Sequence, residues 1–415
     1  MLENFFEEYL TLNPSFGSFL GDHKYDHAYE NILSSAYTKR IDALYRRYNR
    51  YKSQNKVLEW IIHDHDQGKQ FQNLQAPLSS FRNNIVEFTF MNKTMYVMKT
   101  KKDVQNALMR HKCFCAFVKD CIKEFIHPKH ILLPRLICEK LIKSLEDYLE
   151  NKEYIIPYHE PDDTEYEAFL TFLNDTYAPL IVTLVNTIKT QYLPKCSKDK
   201  VGLCAAGDEG KAYYEYLLKS MTTLNDITPE EVYKYGKREV TRITKLLHET
   251  KVKLGVAHET PLQTFYKAML ENPQMHVGSK KQLLQIYNGV KKDINKNVML
   301  ANFHTQVESY DIKLVPKSME KSSAGAFYYP GNGTRKGTFY INARDLNECH
   351  MYNVMTLSLH EGCPGHHYQF QYFIEKNLPL WKRYLVSSTA LIEGWALYAE
   401  DCWTTLTDLL NTLDV

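Results

Sequence analysis

Thr356-Leu-Ser-Leu-His360-Glu361-Gly-Cys-Pro364-Gly365-His366-His367-Tyr-Gln369 is the stretch on which the reading of this chain turns. A His-Glu pair is followed by two more histidines. A carboxylate comes later, in Glu393-Gly394-Trp395-Ala-Leu-Tyr398-Ala-Glu400. Two imidazoles and a distal glutamate hold a zinc ion with one position left open for water. A glutamate directly after the first histidine stands where a zinc hydrolase keeps its general base.

The spacing is unusual. In His-Glu-x-x-His the histidines sit four apart on one helical face, about 6 Å apart along the axis. Here the fourth position is Pro364. On a straight helix His367 returns to the face of His360 but lies roughly 10 Å further on, and His366 points elsewhere. Pro364 lacks an N–H and clashes with the preceding turn, while Gly365 permits unusual dihedrals. The helix is therefore expected to break here and swing a later histidine back to the metal. Spacing alone leaves open whether His366 or the alternate His367 is that ligand.

The same residues carry a resemblance. His-Glu-x-x-Pro-Gly-His-His-x-Gln followed by Glu-Gly-Trp-Ala-Leu-Tyr-Ala-Glu resembles the DUF885 family, read as zinc metallopeptidases distantly similar to thimet-class oligopeptidases and angiotensin-converting enzyme. The likeness extends to Phe5–Tyr25 with Pro14 and Gly21-Asp22-His23, to Gly210-Lys-Ala-Tyr-Tyr-Glu-Tyr-Leu-Leu, and to Thr228-Pro-Glu-Glu-Val. It also takes in Ala326-Phe-Tyr328-Tyr329-Pro330 and Gly337-Thr-Phe-Tyr340-Ile-Asn342. The resemblance implies a zinc-dependent hydrolase cleaving short peptides, with zinc on His360, His366 and Glu393. Glu361 is then the general base, Glu400 the carboxylate that orients a ligand histidine, and Tyr398 or a hairpin tyrosine the group facing the oxyanion. It also implies a small sheet beside the metal cleft whose edge pairs with substrate, making Tyr328, Tyr329 and Arg335 candidate substrate contacts.

Composition narrows the alternatives. The 415 residues carry 51 Lys and Arg against 49 Asp and Glu, a balance that argues against a nucleic-acid partner. We read no apolar run as long enough to span a membrane. The opening bears Glu3, Glu7 and Glu8 where a signal peptide has basic residues, so a cytoplasmic protein is expected. Nine cysteines without paired spacing suggest reduced thiols. Cys113, Cys115 and Cys121 are read as buried thiols rather than a metal cluster. His63-Asp64-His65-Asp66 is read as a solvated helix end, and Gly207-Asp-Glu-Gly210 lacks the Lys-Ser/Thr of a phosphate loop.

The fold expected is mainly α: one domain over 1–415, with a helical half over about 1–200 and a catalytic half over 201–415. Amphipathic patterns predict helices over 2–12 and 36–66, and helical structure from 80 to 150 punctuated by Pro128 and Pro134. A further helix is capped by Asp163 or Thr164, and Thr228-Pro-Glu-Glu231 starts one running to about 254. After a helix near 279–308, the aromatic runs Ser323–Tyr329 and Gly337–Asn342 flank a turn-rich segment and predict a β-hairpin. The resembled family usually continues past the Glu-Gly-Trp helix, so a missing C-terminal segment or a partner is expected to complete the cleft. Two other readings share the site: a catalytically impaired, metal-stabilised scaffold that binds peptides or protein, and a zinc amidase with a non-peptide substrate.

Overall fold

Thr100 and Asp103 cap each other's backbone at the start of Lys101–Ile126, the helix around which the larger core is assembled. Its buried stripe includes Val104, Ala107, His111, Phe114, Val118, Cys121 and Phe125. The long helical run Thr164–Lys195 packs against it, and Arg135–Glu150 packs on that run within the same core. This computed structural model describes residues 1–404 apart from 161–162, 200–201, 318, 322, 333–334 and 386–387. The architecture is mainly helical with one small sheet, as the sequence predicts.

The run Thr164–Lys195 is long and apolar enough to cross a membrane by length and composition, which corrects the reading that no segment is. Within it, the apolar stretch from Pro179 to Ile188 is by itself too short to do so. In this fold its apolar face goes into the core: Phe169, Leu173, Tyr177, Ile181, Leu184, Ile188 and Tyr192 are all fully buried. Asp163 caps its start by accepting from the N–H groups of Glu165 and Tyr166.

The predicted single helix over 36–66 is two helices, Ser35–Asn49 and Lys56–Gly68. Asn55 adopts an extended backbone and accepts from the N–H groups of Val57 and Leu58, restarting the helix. Hydrophobic period continues across this joint, which is why period alone missed it. Of the histidines there, His65 stacks on Tyr45 and pairs with Asp42 at 3.0 Å. Cys115 and Cys121 are buried thiols and Cys113 is half-buried.

The predicted hairpin exists as β2 (Ala326–Tyr329) antiparallel to β3 (Thr338–Ile341), with Tyr328 opposite Phe339. A third strand, β1 (Asp311–Leu314), joins β3 in parallel, giving the order β1-β3-β2. β1 is four residues with a lysine at its third position, too short and polar to announce itself. The central strand β3 is buried along its whole length, and Phe339 and Ile341 join Leu283, Tyr287 and Val354 in a second core. That core seats the sheet against helices Lys280–Ile294 and Met351–Glu361. The second of these carries the motif.

Candidate metal centre

Met351–Glu361 buries Val354, Ser358 and Leu359 and ends at its glutamate. Gly362 still donates to the Ser358 carbonyl at 3.0 Å, and Gly365 donates to Leu359 at 2.9 Å. A new helix, His366–Glu375, then begins. Between them the Cys363–Pro364 peptide is cis. Glycine is required at the return point. A Cβ on Gly365 would lie 1.9 Å from the His360 carbonyl oxygen and 2.3 Å from that of Leu359. A Cβ on Gly362 would lie 2.2 Å from the Tyr310 hydroxyl. So the chain doubles back against its own preceding turn.

The break brings His366 beside His360, with ring centroids 4.7 Å apart at 86°. On an unbroken helix six residues span about 9 Å. The helix Thr389–Thr404 brings in the carboxylates. Glu393 and Glu400 are seven residues apart and so share a face. Glu393 Oε2 stands 3.4 Å from His360 Nε2 and 3.7 Å from His366 Nε2. Glu400 Oε1 lies 2.7 Å from His360 Nδ1, holding the ring so that Nε2 faces Glu393. The two helices are tied directly, since the Trp395 indole N–H donates to the Pro364 carbonyl at 2.8 Å. Trp395 therefore fastens the break itself.

Three donor atoms, one each from His360, His366 and Glu393, lie within 4.8 Å of one another, the only such group of three or more among the described residues. Two imidazoles and a carboxylate suit zinc, and an orienting carboxylate on the other nitrogen of a ligand histidine is the usual companion of such a site. Burial, with His360 alongside, pushes His366 down to about 4, leaving it neutral at pH 7. Glu361 is 6% exposed, and its Oε2 has no hydrogen-bond partner among the described residues. Burial pushes this carboxyl up to about 7; His360 opposes the shift, and Glu393 and Glu400 reinforce it. A buried, unpaired carboxyl that titrates near neutrality sits directly beside the donor cluster.

The other sequence candidates fall elsewhere. His367 is 1% exposed with both ring nitrogens engaged: Nδ1 with the Tyr328 hydroxyl at 2.9 Å and Nε2 with the Glu308 carbonyl at 2.7 Å. It faces away from the cluster and braces the second helix against the sheet, so the alternate ligand is set aside. Tyr328 is thereby a brace rather than an open contact. Tyr329 packs edge-on against Phe19 and Tyr340 and tilts over Phe90. Arg335 donates to the Pro330 carbonyl at 2.8 Å and lies against Met95, pinning the hairpin end. Tyr398 is 60% exposed and rests beside Trp395. Five residues put it about 140° around the helix from Glu393, so it does not face the donor atoms. Glu308, Tyr310 and the role of Trp395 were missed in the sequence; their partners lie 30 to 60 positions away, and no local signal marks them.

The fold and site define a helical protein with a broken His-Glu…Gly-His-His motif closed by a glutamate from a later helix. The chain belongs to the DUF885 family, bacterial proteins of unknown function, which it matches over residues 14–408. It is similar to the crystal structure of a candidate lipoprotein from Colwellia psychrerythraea: TM-score 0.68, 19% identity, covering 79% of this chain and 59% of that one. It is also similar to a candidate lipoprotein of unknown function from Shewanella oneidensis: TM-score 0.64, 15% identity, covering 97% of this chain and 77% of that one. This chain thus spans about three fifths of the Colwellia protein. At these identities the likeness is one of fold. Comparison with curated protein sequences finds no match.

Proposed function

We propose that this chain is a zinc-dependent hydrolase that cleaves peptide bonds, acting on short peptides. The observation that carries the reading is the convergence of His360, His366 and Glu393 beside the buried, unpaired carboxyl of Glu361. His360, His366 and Glu393 would hold zinc, which when bound would supply a Lewis acid for a substrate carbonyl and a water. The chain's own residues do the rest. Glu361 Oε2 takes the water proton and delivers it to the leaving amine, a task suited to a carboxyl poised near neutrality. Glu400 keeps the proton of His360 on Nδ1 and its Nε2 lone pair toward the metal. Gly394 leaves open space beside Glu393, since a Cβ there would meet nothing within 4 Å.

Glu361→Gln separates chemistry from binding. Turnover of a random short-peptide library should fall at least a hundredfold, the scale of a lost general base, while zinc content is unchanged. Turnover that persists in this variant would remove Glu361 from the mechanism.

One observation favours the scaffold reading. The helix Pro229–Lys253 buries a single residue, Lys251, and exposes Val232, Tyr235, Val240, Ile243 and Leu246. Such a face suits a partner. For location we propose the cytoplasm, from the buried free thiols Cys115 and Cys121. The description of the two neighbours as lipoproteins supports the opposite assignment. Cell fractionation distinguishes the two.

A further inference from the structure

A cavity of about 350 Å³ lies between the N-terminal helices and the sheet. Phe16, Phe19, Tyr29, Phe88, Tyr96 and Tyr329 wall it. Successive strand residues face opposite sides of a sheet. Tyr328 turns to His367 and the metal-centre helices, whereas Tyr329 turns against Phe19 and Phe90 and into this cavity. The cavity is therefore separate from the metal centre.

Its polar groups are unevenly satisfied. Ser15 donates its N–H to Glu30 at 3.0 Å and its hydroxyl to the same carboxylate, and the Tyr96 hydroxyl donates to the Ser15 carbonyl at 3.0 Å. Arg110 is occupied in the wall: it donates to Asn92 Oδ1 at 3.0 and 2.6 Å and to the Asp26 carbonyl, and it lies over the Tyr96 ring. Glu87, which lines the cavity, makes no hydrogen bond or ion pair among the described residues; the residue is exposed overall, and local desolvation still raises its carboxyl. Asn84 Oδ1 is buried without a hydrogen-bond partner. Glu30 and Glu87 line the cavity together with Tyr29. The carboxylates of Glu30 and Glu87 and the Asn84 oxygen are acceptors, and the Tyr29 hydroxyl beside Asn84 is a donor among them. The surrounding ring faces are negative as well.

We propose that this cavity binds a primary organic ammonium ion with an apolar body. Its N–H donors satisfy Glu87, Glu30 and Asn84 Oδ1, and its body lies among the rings. Neutralising carboxylates that burial disfavours adds to the attraction. Neither the metal nor Glu361 takes part, so this proposal stands or fails independently of the hydrolase reading.

Isothermal titration of the full chain with benzylammonium, against benzyl alcohol as its neutral counterpart, tests it. One site per chain is expected, with the alcohol at least tenfold weaker. Glu87→Gln should weaken benzylammonium at least tenfold and leave the alcohol unchanged. Glu87→Gln removes no hydrogen bond or ion pair among the described residues, so the variant is expected to fold with a melting temperature no lower than the parent's. Glu30→Gln is the second variant, and Glu361→Gln should bind like the parent. Phenylalaninamide binding tighter than benzylammonium assigns the site to a peptide amino terminus, and weaker binding assigns it to a free amine. No benzylammonium binding at millimolar concentration, or equal binding of amine and alcohol to parent and Glu87→Gln, overturns the proposal.

Discussion

At the residue scale, Glu400 decides what His360 presents. Its carboxylate lies 2.7 Å from Nδ1, and so Nε2 faces Glu393. Substituting Glu400 by Gln keeps a hydrogen-bonding group of similar size but removes the charge that strengthens the histidine as a donor. We expect zinc affinity to fall 10- to 100-fold, measured by competition with a chelator, with the fold unchanged. Affinity equal to the parent would mean the contact is incidental. The sequence supplies His360, Glu361, Glu393 and Glu400 because helical period places the two glutamates on one face. Spacing alone does not choose between His366 and His367, since that choice depends on how the chain turns through Gly362 and Gly365; only the family resemblance favours His366. Tyr398 stands five residues from Glu393, the wrong helical phase for a shared site, and it is exposed.

At the element scale, the unit that matters is the broken helix. Pro364 stops the first segment, Gly365 lets the second start against the first, and Trp395 clamps the joint from the later helix. A methyl group at residue 365 would have to displace backbone carbonyls, which cannot rotate away as a side chain can. Gly365→Ala should therefore destabilise the protein by about 3 kcal/mol, read as a lower urea midpoint, and should separate the two histidines so that zinc is lost. A variant with parental midpoint and full zinc would show that the close approach has no role. The break itself was legible from Pro-Gly within a helical pattern. The strand β1 and the joint at Asn55 were not, the first for its brevity and polarity, the second because apolar period runs through it.

At the scale of the whole molecule, the larger core hides histidines that must stay neutral. His111, fully buried among Phe88, Phe169 and Tyr177, is pushed down to about 3 by burial and by Arg110 beside it. His130 is pushed down to about 4 by burial and meets the Tyr192 hydroxyl at 3.0 Å. Unfolded, each would take a proton near pH 6.5. Their contribution is thus complete above pH 6.5 and is lost as pH falls toward those lowered values, at about 1.4 kcal/mol per pH unit for each histidine. Between pH 6.5 and 4.5 the stability advantage of the parent over His111→Gln should shrink by about 2 to 3 kcal/mol in urea titrations. Parallel pH dependence would contradict a neutral native His111. The mainly helical class was legible because amphipathic period recurs along most of the chain. That Tyr329 and Arg335 serve the packing between hairpin and N-terminal helices was not, because those contacts join residues some 240 to 310 positions apart.

The most direct measurement is the metal content of the purified protein by elemental mass spectrometry, beside His360→Ala and Glu393→Ala. The account predicts close to one zinc per chain in the parent and little in either variant, with each variant still folded by circular dichroism. A parent that carries no zinc and takes up none when it is added would contradict the metal centre, and with it the hydrolase.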